Sequence, residues 1–336
     1  MNGKRWAALG IAALLFFVSI GVSAATFFFS ADTKSVFEDL FATGESNFYE
    51  EVVEGDDVFN KIAIFDVEGT ILDTGEDYSI FGAGSTYNHR SFLKKLDMAA
   101  EDDTIKGIIL RVNSPGGGVL ESAEIYDKIL ALKETGKPVY VSMGSMAASG
   151  GYYISAPADK IYASNETLTG SLGVIMQGYN YEKLAEKYGV EFETIKSGPY
   201  KDIMSPTREM TAEERKILQS MVDNMYHEFV RVIAQGRGMS EKEVRKLADG
   251  RIYDGRQAKQ VALVDEIGRL DDVIAGIKTD LKLKDAQVIR YTDEANLSSF
   301  LSMSAQKVMG VDAETAVLTK VLTSSNSPRL MYLYAE

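Results

Sequence analysis

From Lys61 onward, short runs rich in β-branched residues alternate with longer runs of helical period, and that alternation limits the chain to few architectures. The spacing predicts a strand at 62–67, a helix at 91–101, a strand at 107–112, a helix at 120–134 and a strand at 138–141. Strand, helix, strand in succession gives parallel strands joined by right-handed crossovers, an α/β domain. Further short strands are predicted at 160–163, 174–176 and 192–195, with 155–159 as the link before the first. A long helix is predicted over 212–234, opened by Thr211 and Glu214 at capping-box spacing and ended by Gly236 and Gly238. Ser240 and Glu243 open another over 240–247, and 270–281 reads as a third.

Two glycine-rich stretches fall where a predicted strand gives way to a helix. The first is Arg111-Val-Asn-Ser-Pro-Gly-Gly-Gly118, whose bare amides suit an anion or oxyanion at the carboxyl end of a strand. No Lys-Ser/Thr follows, so it is not a phosphate loop. The second is Ser142-Met-Gly-Ser-Met-Ala-Ala-Ser-Gly-Gly-Tyr-Tyr153, where Ser149 stands among Ala147, Ala148, Gly150 and Gly151. A hydroxyl with no bulky neighbour suits a nucleophile that a substrate backbone must approach. The same residues also suit a tight turn in which backbones merely touch.

A serine nucleophile needs a base. The chain has no cysteine, and its two histidines, His89 and His227, sit in a polar loop-like stretch and on a charged helix, where solvated roles are expected. Thiolate metal sites are thereby excluded, no metal or cofactor is expected, and a net charge of −13 argues against a nucleic-acid partner. Lysine or carboxylate remains. Lys196 and Lys201 flank Ser197-Gly-Pro-Tyr200, and either must shed its proton near neutral pH to serve. Asp202, next to Lys201, would oppose that if its carboxylate faced the ammonium. Thr169-Gly-Ser-Leu-Gly173 offers hydroxyls that could orient an amine without charging it.

Asn113-Ser-Pro-Gly-Gly-Gly118, Ser145-Met-Ala-Ala-Ser-Gly-Gly151, Thr169-Gly-Ser-Leu-Gly173 and Ser197-Gly-Pro-Tyr-Lys-Asp202, in that order, resemble the signal peptide peptidase A family of membrane-anchored serine proteases in its short, single-domain bacterial form. The resemblance implies a Clp protease/crotonase-like fold and a Ser-Lys dyad that degrades remnant signal peptides and other small apolar peptides. Carried over, Ser149 is the nucleophile and Lys201 the general base. The N–H groups of Gly116 and Ser149 form the oxyanion hole, and Ser171 orients the lysine. Lys196 matches no catalytic position. A homo-oligomer is implied, an octamer in the short form. Two other readings stand beside it: an acyl-CoA enzyme of the crotonase fold, and a catalytically idle membrane scaffold.

The ends of the chain set its expected location. Residues 6–29 carry no charge and run 24 positions, about 36 Å as a helix against a hydrocarbon core of ~30 Å. Lys4 and Arg5 before the run and Asp32, Glu38 and Asp39 after it place residues 1–5 in the cytoplasm and the rest outside. The rival is a signal peptide cleaved near Val22-Ser23-Ala24. Residues 30–60 read as an acidic stalk, 61–294 as the peptidase domain and 295–336 as an extension. That extension ends in the apolar run Leu330-Met-Tyr-Leu-Tyr-Ala335, whose alternation suits a strand added in the chain's own groove or a neighbour's, or else an edge strand or subunit contact.

Overall fold

The computed structural model describes residues 48–73, 87–293 and 330–334. The expected anchor at 6–29, and most of the expected stalk and extension, lie outside the described residues.

The chain enters through β1 (Phe48–Glu54) and β2 (Asp57–Glu68) and continues into α1 (His89–Glu101). Next come β3 (Ile105–Ser114), the short β4 (Gly116–Gly118), α2 (Val119–Glu134), β5 (Val139–Ala148) and α3 (Gly150–Ser155). Four small elements follow, β6 (Lys160–Ala163), β7 (Leu168–Gly170), β8 (Ile175–Met176) and α4 (Glu182–Lys187). The long α5 (Ala212–Arg237) leads to α6 (Glu241–Leu247), β9 (Ile252–Asp254), α7 (Gly255–Gln260), β10 (Glu266–Ile267), α8 (Leu270–Leu281), β11 (Ala286–Asp293) and finally β12 (Leu330–Leu333).

Among the described residues the main sheet runs β1-β11-β2-β3-β5-β6-β10, with β7 also on β5 and β9 on β7. The central pairs β2–β3, β3–β5 and β5–β6 are parallel, as βα alternation requires. Because successive strand residues point to opposite faces, Phe65, Val67, Leu110 and Val112 face one side, against Phe92, Leu96, Ile125 and Ile129 of α1 and α2. Ile62, Ile64 and Ile109 face the other, against Val273, Ile274 and Ile277 of α8.

Local sequence set the helix ends. Thr211 Oγ1 accepts the Glu214 N–H at 3.2 Å while Glu214 Oε2 accepts the Thr211 N–H at 2.8 Å. Gly236 does not stop α5, contrary to expectation; it lies inside the helix, where a Cβ would come within 2.1 Å of the Ala156 carbonyl oxygen. Gly238, at φ 63°, closes it.

Three expectations change. Residues 48–60 are not stalk: β1 and the first turn of β2 join the sheet, and their acidic side chains sit on an exposed edge. The strand predicted at 192–195 is absent; those residues are exposed and pair with no strand. The strand predicted at 138–141 continues to Ala148, because its second half pairs with Ser114 and with β7.

Candidate active site

The register of β5 builds the site. From Ile108↔Val139 to Val112↔Met143 it matches β3 residue for residue, and then Ser114 pairs with Ala147, so β5 gains two residues around Gly144 and Ser145. Asn113 Oδ1 holds this bulge, accepting from Ser145 Oγ at 2.8 Å and the Met146 N–H at 3.2 Å. The irregularity delivers the end of β5 beside Gly116.

Ser149 occupies the single residue between β5 and α3, at φ 54° and ψ −115°. A side chain there costs roughly 1–3 kcal/mol of backbone strain, a cost found where a residue must be aimed. It is buried, and its Oγ has no hydrogen-bond partner among the described residues. Its N–H donates to the Gly170 carbonyl at 2.8 Å, and its own carbonyl accepts from Tyr153 to start α3.

The Ser149 N–H is turned into the β5–β7 seam by the positive φ and is already committed, whereas no acceptor for the Gly150 N–H is present among the described residues. Gly116, at φ 99°, donates its N–H to Ser114 Oγ at 3.0 Å. A Cβ on Gly116 would lie 2.5 Å from the Gly150 nitrogen and 2.0 Å from the Tyr332 carbonyl oxygen. The two glycine backbones thus face one point, which must stay bare.

Ser171 follows Gly170 of β7, which pairs with Ala148, so the register sets it beside Ser149. It too has a positive φ of 50°, with its N–H on the Arg251 carbonyl at 2.7 Å.

Lys201 is not brought to this cluster. It is exposed in a turn, with its N–H on the Gly198 carbonyl at 3.3 Å, and its amine is not within hydrogen-bond reach of Ser149. Lys196 is held by Asp202 Oδ1 at 2.6 Å.

Sequence reasoning left the place of the tail open. β12 lies antiparallel between β4 and β8, with Leu333 against Gly116, Tyr332 against Gly117, and Met331 against both Gly118 and Ile175. The Tyr332 ring is buried, stacked on Tyr153 at 4.9 Å and tilted against Phe229 at 4.6 Å, with its hydroxyl donating to the Met225 carbonyl at 3.1 Å. Burial pushes the Tyr332 and Tyr153 phenols well above their ordinary range, so both are neutral.

His89 departs from its expected solvated role. It is buried, with Nδ1 2.7 Å from the Tyr87 hydroxyl and Nε2 2.7 Å from Glu124 Oε2, because the helices α1 and α2 close over it. His227 is exposed, as expected.

A strained serine at the end of a parallel strand, below a slot that takes an extended backbone, places the molecule among α/β serine proteases. Residues 131–284 match the family model described as peptidase family S49, and residues 78–168 that described as Clp protease. The chain is 41% identical to a protein of Enterococcus faecium named "Putative signal peptide peptidase SppA", over 99% of each chain. It is 35% identical to protease 4 of Haemophilus influenzae over 82% of this chain and 46% of that protein. It is also 34% identical to the chloroplastic serine protease SPPA of Arabidopsis thaliana, over 71% of this chain and 36% of that one. The chain belongs to peptidase family S49, the family of signal peptide peptidase A.

Proposed function

We propose that the protein is a membrane-anchored endopeptidase that cuts remnant signal peptides and other small apolar peptides through a Ser149–Lys201 dyad. The observation that carries this reading is the slot between β4 and β8, which holds an extended segment antiparallel to both strands beside Ser149. Main-chain pairing of that kind gives affinity for any peptide, and the aromatic pocket filled by Tyr332 favours an apolar or aromatic side chain.

In the proposed reaction the neutral Lys201 amine takes the Ser149 hydroxyl proton, and Oγ attacks the scissile carbonyl carbon. The oxyanion is received by the Gly150 N–H and by the Gly116 N–H, which leaves Ser114 Oγ to do so, each such donor contributing roughly 3–4 kcal/mol. The protonated amine then gives its proton to the leaving nitrogen. Water, activated by the same lysine, releases the acyl group, and the Ser171 hydroxyl orients the amine without charging it. No cofactor takes part. Residues 6–29 hold the enzyme on the outer face of the membrane, where apolar signal peptides collect.

The base comes from a second copy in a homo-oligomer, an octamer by the family resemblance. Three facts support this: Ser149 Oγ lacks a partner among the described residues, Lys201 is exposed, and the arm carrying it is apolar and uncovered. α4 buries no residue, Tyr188, Val190 and Phe192 are exposed, and Ile195 is 103% exposed. Ser149→Ala and Lys201→Ala should each abolish peptide cleavage in folded protein. Mixed oligomers of the two variants should regain activity if the dyad forms between copies. Full activity in either single variant would sink the dyad, and no recovery on mixing would place both residues in one copy.

A further inference from the structure

Arg208 sits at the centre of the segment that carries Lys201. Its Nε donates to Asp202 Oδ2 at 2.8 Å, and its Nη2 donates to Asp202 Oδ1 at 2.7 Å and to the Asp202 carbonyl at 3.1 Å. On its other side Nη1 donates to Glu214 Oε2 at 2.9 Å, and Nη2 also reaches Glu214 Oε1. Two carboxylates thus share one guanidinium in planar, two-pronged contacts. Glu214 is 1% exposed and belongs to the capping box of α5, so the clamp ties the Lys201 turn to a fixed helix end. Lys196 completes the coordination of Asp202 at Oδ1.

We propose that Arg208 is a positioning residue for the base: by saturating the Asp202 carboxylate it prevents the charge next in sequence to Lys201 from holding that amine protonated. The inference rests on the Ser149–Lys201 reading and adds to it the group that lets a lysine beside an aspartate act as a base. The sequence raised this conflict, because a free carboxylate within about 4–6 Å lifts an amine pKa by roughly one to three units. The geometry resolves it by using all three nitrogens of a guanidinium on carboxylates. The other charged groups around the clamp are Glu209 in the same segment, Arg215 on α5 and Lys183 on α4, the last 3.9 Å from Glu209. Lys183 and Glu209 offset each other, Arg215 adds one positive charge, and none of the three is bonded to Asp202, which is left to Arg208 and Lys196. Arg208 and Lys196 also hold the Asp202 carboxyl well below the usual carboxylate range, so it stays charged wherever the enzyme is active.

The test is the pH profile of kcat/KM on a chromogenic peptide, whose acid limb reports the free base. Arg208→Met alone would strand the buried Glu214 carboxylate, so the variant is made with Glu214→Gln, which preserves the capping box. The expected result is an acid limb moved up by about one pH unit, roughly tenfold lower kcat/KM below the limb and a retained plateau at high pH. Adding Asp202→Asn should return the limb to its starting place. A loss that is equal at every pH, or a limb that Asp202→Asn does not restore, overturns the proposal in favour of a structural role. Should that protein not fold, Arg208→Gln with Glu214→Gln serves instead. It removes the charge while leaving a polar side chain of similar length, and an unmoved limb there is equally fatal. Lys201→Ala separates the two claims: activity in that variant removes the dyad, whereas an inactive Lys201→Ala with an unmoved Arg208 limb removes only the clamp.

Discussion

Ser149 offers a direct measure of what its conformation costs. At φ 54° and ψ −115° it lies where only glycine is at ease. Ser149→Ala removes the hydroxyl and keeps the strain, while Ser149→Gly removes both. The strain is worth up to about 3 kcal/mol. Against it stand about 0.5–1 kcal/mol for the greater freedom of glycine in the unfolded chain and about 0.8 kcal/mol for one buried methyl group. At that upper value the balance favours Ser149→Gly over Ser149→Ala by about 1 kcal/mol, or about 2–4 °C in Tm for a domain of this size. Both variants lack the nucleophile, so neither can cut itself or its neighbours during the measurement. Parallel urea titrations with equal m-values would give the difference directly. An alanine variant as stable as the glycine variant, or more so, would mean that the turn is relaxed and that strain is not what aims Ser149.

Other perturbations follow from single contacts. Gly116→Ala would place a methyl group 2.5 Å from the Gly150 nitrogen; cleavage should fall by about 10²-fold, and an unchanged kcat would show that the hole lies elsewhere. Gly236→Ala would press a Cβ to 2.1 Å from the Ala156 carbonyl, and should cost about 1–3 kcal/mol in urea unfolding without altering the chemistry of Ser149. Deleting residues 330–336 empties the slot beside Ser149, so covalent labelling of Ser149 by a serine-directed probe should quicken; an unchanged labelling rate would argue that the tail does not shield it. Arg208 holds the Asp202 and Glu214 carboxyls below their ordinary range. The stability this supplies is complete above the unfolded carboxylate pKa of about 4 and lost as pH falls below it. Arg208→Met should therefore raise the pH of acid unfolding, measured by circular dichroism, and an unshifted midpoint would discount the clamp as a stabilising element.

How much was legible depended on whether the determining contacts were local. The capping boxes of α5 and α6 and the bounds of α8 were readable, because caps and helical period act within four residues. The short strands β7 and β9 were not, since each exists only through a distant partner, Ala148 for Gly170 and Thr169 for Tyr253; the alternation of 330–335 showed a strand at β12 but not that Tyr332 pairs with Gly117. Ser149 was legible from its small neighbours. The direction of its N–H was not, because that follows from a positive φ imposed by the seam with β7. His89 was misjudged for the same reason: a polar local sequence gives no sign of Glu124, 35 residues on. Gly236 looked like a terminator, and only the packing of α5 against Ala156 shows why it is glycine.

The proposed site is divided between two kinds of structure, and the division has a physical rationale. Ser149, Gly150 and Ser171 are set by the ends of β5 and β7 in the main sheet, and Gly116 by β4 in the three-stranded sheet with β12 and β8, where register and burial hold atoms to the sub-ångström tolerance that the proposed nucleophile and oxyanion donors demand. Lys201 needs something different, a desolvated surrounding that lowers its pKa, and the exposed arm of a single chain does not supply one. On the proposed reading, covering that arm with a second copy does two things at once. It buries the apolar side chains at 188–195, and it takes the amine out of water beside a hydroxyl that has no other partner among the described residues. The Arg208 clamp gives the arm a firm root on α5, so that on the same reading the lysine would reach the neighbouring serine with its adjacent carboxylate already neutralised. An isolated copy would hold a strained serine without a base, and cleavage would begin only where the copies meet.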